Sequence, residues 1–166
     1  MRVILPSPIL NVRILLIALT SVLFSYNTFS QSADYTTGRL IITFTNIRSD
    51  IGNIRVGLYD APDQWTDHAK YHYVWSKEDL KDGNLTVEIK DLPRTTYAIT
   101  VLDDEDENED MTYKLGLPME GWGMSNNPSF VRLKAPGFDE VSFELDSPAI
   151  RFEIQMNYLN RNKNVR

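Results

Sequence analysis

A two-residue period runs through the chain from residue 40 to residue 158. Leu40, Ile42 and Phe44 alternate with Ile41, Thr43 and Thr45, and Ile54, Val56 and Leu58 alternate with Arg55, Gly57 and Tyr59. The alternation returns in Leu85, Val87 and Ile89, in Tyr97, Ile99 and Val101, and in Val141, Phe143 and Leu145. It is longest at the end, where Ile150, Phe152, Ile154, Met156 and Tyr158 share one face. Successive side chains of an extended strand point to opposite faces, so this pattern prescribes sheets with one apolar and one wetted side. Two such sides must meet to be buried. Turn residues separate the runs at Asp50 to Asn53, Lys81 to Asn84, Pro93 and Asp146 to Pro148. The pattern predicts an all-β fold: an antiparallel β-sandwich of about seven strands with Greek-key connections, immunoglobulin-like or transthyretin-like. Asp60 to Leu80 departs from the period, and a short helix is expected near Ser76 to Leu80.

The leader obeys different rules. Arg2 and Arg13 precede an apolar run from Ile14 to Ser25, and Thr28-Phe29-Ser30 places small residues where a signal peptidase reads. The uncharged run is shorter than the roughly 20 apolar residues that span a bilayer. Residues 1–30 are therefore expected to be a signal peptide cleaved before Gln31. A short linker over 31–37, one β-sandwich domain over 38–160 and a polar tail over 161–166 follow, in a secreted or periplasmic protein without a membrane span after cleavage. Removal leaves 166 − 30 = 136 residues, enough for one core. Two of the 17 basic residues and none of the 23 acidic ones lie in the leader, so the net charge becomes 15 − 23 = −8. Such a surface repels phosphate backbones, which argues against nucleic acid as a partner. The expected partner is an extracytoplasmic ligand or protein. The chain has no cysteine, so no disulfide staples the domain.

One stretch concentrates that charge. Asp103-Asp104-Glu105-Asp106-Glu107-Asn108-Glu109-Asp110 places seven carboxylates in eight positions just after a strand pattern. Carboxylates about 4 Å apart repel by roughly 1 kcal/mol in water and more beside a protein surface. A cation removes that repulsion. Asp104, Asp106, Asn108 and Asp110 stand at alternate positions, which aims successive oxygens at one hard ion, and Ca2+ matches that donor set best. The helix-loop-helix calcium hand does not fit. With Asp104 first, its turn glycine falls on Glu109 and its closing glutamate on Leu115. A short Asp-rich loop between strands remains, completed by carbonyls, water or a distant carboxylate such as Glu120. The other reading is a solvated acidic turn.

The next segment, residues 115–130, is built of turns. Gly116, Pro118, Gly121, Gly123, Asn126, Asn127 and Pro128 favour sharp backbone direction changes, and Trp122 and Phe130 supply large apolar anchors. Glu120, Trp122, Ser125 and Asn126 are the candidate ligand or partner contacts of this loop. Gly123 to Asn127 lacks the final glycine of a nucleophile elbow and its strand-to-helix setting.

These two stretches in tandem resemble the exported bacterial family known as domain of unknown function 2141. Its members carry a strand ending in an H-D-E-N-G-N-G-K-L-D-like loop, followed by G-I-P-K-E-G-Y-G-F-S-N-N. Gly116-Leu117-Pro118-Met119-Glu120-Gly121-Trp122-Gly123-Met124-Ser125-Asn126-Asn127 is similar to the second part. Val56 to Asp60, Pro93 to Val101 and Pro136 to Phe143 echo further segments, so the likeness covers roughly residues 38–158. In the loop, Asp103 replaces the family's histidine, Glu107 and Glu109 its two glycines, and Thr112 its later aspartate. The resemblance implies a small exported β domain with no assigned activity.

Two functions follow as expectations. The first is a noncatalytic exported binding or structural module, without a catalytic residue or organic cofactor, whose acidic loop takes Ca2+. The alternative is a carboxylate-dependent hydrolase with its site near Glu120 and the acidic loop, since paired carboxylates in a cleft serve as acid and base.

Overall fold

A computed structural model describes residues 36–129 and 135–159. The expected leader, most of the linker, Phe130 and the polar tail lie outside the described residues. Two sheets carry the fold. Strand β1 (Thr37–Thr45) lies between β4 (Leu85–Pro93) and β10 (Ala149–Gln155) in a three-stranded sheet. The second sheet runs β3 (Tyr71–Ser76), β2 (Asn53–Tyr59), β5 (Thr96–Asp104) and β8 (Gly121–Met124), with β9 (Phe143–Glu144) also paired to β5. A two-stranded hairpin of β6 (Tyr113–Lys114) and β7 (Leu117–Pro118) projects from the acidic end.

The period-two residues meet where the sheets face each other. Leu40, Ile42, Phe44, Leu85, Val87, Ile89 and Ile154 from one sheet pack against Ile54, Val56, Leu58, Tyr97, Ile99 and Val101 from the other. The phenol of Tyr97 donates to the carbonyl of Pro93 at 2.9 Å, and burial pushes its pKa up to about 12. The all-β sandwich expected from the alternation is the fold observed. One pairing departs from antiparallel order: β10 runs parallel to β1, from Arg39 opposite Ala149 to Thr45 opposite Gln155. Parallel neighbours need a long connection, and here it is most of the chain.

Two local expectations are corrected. The segment without alternation contains strand β3 rather than a helix near Ser76 to Leu80, together with a 3-10 turn at Pro62–Gln64. Val141 belongs to a one-turn helix, α1 (Phe138–Val141), not to a strand. That helix buries Phe138 and Val141 with Tyr59 and Ala98 on the outer face of the five-stranded sheet, joined by Trp65. Trp65 is held there by an indole N–H bond of 2.8 Å to the carbonyl of Pro136.

Candidate functional site

The acidic loop folds around carboxylates that turn inward. Asp104 ends β5 on the outer face of the sheet and is wholly buried. Its Oδ1 accepts from the backbone N–H of Asn108 and its Oδ2 from that of Glu109, both at 3.1 Å. Glu120, also buried, reaches back from the start of β8. One of its oxygens accepts from the N–H of Glu105 and the other from that of Thr112, each at 2.9 Å. Carboxylates thus supply the backbone partners that an irregular loop lacks.

The loop's shape explains its turns. Glu107 (φ 57°) and Glu109 (φ 75°) both adopt the left-handed conformation, at the two positions where the resembling pattern carries glycine. For a residue with a side chain that conformation costs about 1–2 kcal/mol. The hydrogen bonds to Asp104 help offset the cost, and Arg55 pairs with Glu109 at 3.2 Å and with Asp104 at 3.5 Å.

Asp104, Asp106 and Glu120 each bring a carboxylate oxygen within 4.8 Å of the other two. Two of the four loop residues proposed from their spacing therefore converge with the more distant Glu120. Asn108 and Asp110 are used within the loop: Asn108 Oδ1 accepts from the N–H of Asp110 at 2.8 Å, and its amide donates to the Thr112 hydroxyl at 2.8 Å. Asp106 is exposed and accepts from that same hydroxyl at 2.9 Å.

A second polar group sits on the inner side of the same strand end. Asp103 projects between the sheets, where the ammonium of Lys77 and the hydroxyl of Tyr158 meet it. Burial pushes its carboxyl up, against the opposing pull of Lys77 and Tyr158. Burial, with the neighbouring Asp103, also holds the Tyr158 hydroxyl protonated well above the usual phenol range. Beside it, burial alone would raise the Glu105 carboxyl, but hydrogen bonds from Arg48 and Ser49 outweigh that and hold it below the usual range. The histidine-to-aspartate difference at Asp103 thus places a carboxylate in the core, away from the cluster.

Above the loop, the outer face of the five-stranded sheet forms a groove of about 850 Å³. Gly57 and Thr100 are at its floor, His72 and Val74 on one side, Trp122 and Met124 on the other, and Arg55, Glu109 and Asp110 at the acidic end. Gly57 keeps the floor low. A Cβ there would stand 2.9 Å from the Thr100 hydroxyl and 3.1 Å from the Tyr59 ring. Trp122 is among the residues that line the groove.

The other residues singled out in its loop serve the fold. Ser125 is fully buried; its hydroxyl donates to the carbonyl of Val141 at 2.6 Å and accepts from the N–H of Ile99 at 2.9 Å. It is a latch between β5 and α1, which corrects its expected place at a ligand. Asn126 (φ 61°) donates to the carbonyl of Ser142, and Asn127 (φ 45°) bonds the backbone of Glu153 and Gln155. The Ser-Asn-Asn run therefore ties β8 to both α1 and β10. Replacing Ser125 with Ala leaves a buried donor and acceptor unmatched and should cost about 2 kcal/mol, read as a lower urea midpoint at unchanged slope.

A sequence model of uncharacterized proteins conserved in bacteria, DUF2141, matches residues 42–152. The chain belongs to this family. No curated protein and no solved structure matches it. The DUF2141 match runs from within β1 to within β10 and includes the acidic loop and the Ser-Asn-Asn run, so the site lies inside the matched region. No helix among the described residues is long and apolar enough to cross a membrane.

Proposed function

We propose that this DUF2141 protein is an exported, noncatalytic binding module in which Ca2+ at Asp104, Asp106 and Glu120 fixes the acidic end of the groove. The observation that carries the reading is the convergence of three carboxylates within 4.8 Å, two of them buried. Each of these oxygens retains acceptor capacity beyond its present hydrogen bond, and Ca2+ takes six to eight oxygens at flexible angles, including carbonyls and water. The ion would offset the mutual repulsion of the loop. Arg55, close to Asp104, opposes it, so the expected affinity is that of extracellular modules, about 10⁻⁴–10⁻³ M. Location outside the cytoplasm rests on the leader sequence, and the extracytoplasmic partner would occupy the groove.

The hydrolase reading has less support. Asp104 and Glu120 already accept backbone N–H bonds at both oxygens, which suits fixed holders of the loop better than groups free to meet a substrate. Calorimetric titration of the purified protein with calcium, followed by thermal melting, tests the proposal. Saturation at 100 times the dissociation constant should add about 2.7 kcal/mol to stability. Asp106→Asn should weaken binding without disturbing the fold, and Asp104→Asn with Asp106→Asn should abolish the rise in melting temperature. An undiminished rise in the double variant would place the ion elsewhere, and no heat at millimolar calcium would end the proposal.

A further inference from the structure

The Lys77–Asp103 contact has the composition of an unfinished amide. Both side chains are 0% exposed. Lys77 follows β3 and Asp103 lies near the end of β5, with β2 between them: Ser76 pairs with Asn53, and Asp103 with Ile54. The ammonium lies against Asp103 Oδ1, yet that oxygen accepts no hydrogen bond of acceptable geometry. The other oxygen, Oδ2, accepts from the Tyr158 hydroxyl, and the Lys77 nitrogen also donates to the carbonyl of Ile51.

We propose that Lys77 and Asp103 join in an intramolecular isopeptide bond linking β3 to β5. The amide is the species whose hydrogen bonds the surroundings already match. It has one N–H, for which the Ile51 carbonyl is placed, and one carbonyl oxygen, for which the Tyr158 hydroxyl is placed. The ion pair fits less well, since an ammonium has three donors and its partners among the described residues are two. A site closed to water also favours neutral species over charged ones.

The step balances without any added reagent. One proton passes from Lys77 Nζ to Asp103 Oδ1, leaving an amine and a carboxylic acid. The Nζ lone pair forms a bond to Cγ and the negative charge moves onto Oδ2, where the Tyr158 hydroxyl steadies it. The Cγ–Oδ1 bond then breaks, and Oδ1 leaves as water with its own hydrogen and a second one from nitrogen. The remaining nitrogen hydrogen stays on the amide. Tyr158 is fixed for this role, because its oxygen accepts from the backbone N–H of Arg48 at 3.3 Å while the Arg48 guanidinium lies 4.6 Å above its ring. Holding amine and acid together acts as an effective concentration of about 10⁵–10⁸ M, which replaces chemical activation.

Intact mass spectrometry of the purified protein under denaturing conditions tests this, with the amino terminus determined on the same sample. The expected mass is that of the sequence less one water. Tryptic digestion should leave Lys77 uncleaved and yield a branched peptide joining it to Asp103. Lys77→Arg should restore the full mass. Full mass and linear peptides from the folded wild-type protein overturn the proposal, as does a water loss that persists in Lys77→Arg, which would indicate cyclisation of an aspartate onto its own backbone.

Discussion

Gly52→Ala should destabilise the protein by about 3 kcal/mol, far more than alanine at other left-handed glycines. Gly52 adopts φ +73°, and a Cβ there would stand 2.0 Å from the carbonyl oxygen of Asp104 and 2.7 Å from the Cα of Glu105. Those are backbone atoms at the end of β5, and Asn53 pairs with Asp104 in the ladder, so neither side can yield without opening the β2–β5 register. The left-handed backbone contributes about 1 kcal/mol of the loss and the collision about 2. Gly116 isolates the first part: it has φ +77° and nothing within 4 Å of its Cβ position. Gly116→Ala should therefore lose only about 1 kcal/mol. Equal urea midpoints for the two variants would show that the crowding is not real. Because a Cβ at position 52 would press on the backbone of Asp104, the substitution should also weaken the calcium response.

Lys77→Met should have the other large effect. It leaves the Asp103 carboxyl, which has no exposure, with neither a covalent partner nor a cation, and a buried charge left uncompensated costs about 3–5 kcal/mol. Lys77→Met with Asp103→Leu removes both charges and should regain most of that electrostatic loss. Any remaining shortfall measures the covalent bond: a cross-link closing the loop from Lys77 to Asp103 contributes about 3–4 kcal/mol on the chain-entropy account of disulfides. Chemical denaturation of the three proteins separates the contributions. A double variant no more stable than Lys77→Met would show that the uncompensated charge is not what the single substitution exposes.

Local alternation was sufficient to read most of the core. Leu40, Ile42, Phe44, Ile54, Val56, Leu58, Ile99 and Val101 are buried because their strands have one apolar face, and that contrast is visible residue by residue. Strand β3 was harder to read for the same reason. Tyr71, Tyr73 and Trp75 pack against the core while Val74 is 51% exposed on the opposite side, so the two faces differ little in polarity. The acidic loop was legible as a cluster, but spacing alone could not separate the inward carboxylates from those used in the turn.

The sequence by itself determined an all-β chain with two-sided strands and an acidic turn after β5, because each is a matter of neighbouring residues. Only the tertiary structure decided that β10 runs parallel to β1, that Glu120 joins Asp104 and Asp106, and that Lys77 meets Asp103. Ser125 likewise became a latch only through its neighbours in space. These contacts join residues far apart in the chain, and the closure of such loops depends on the packing of whole sheets rather than on any local pattern.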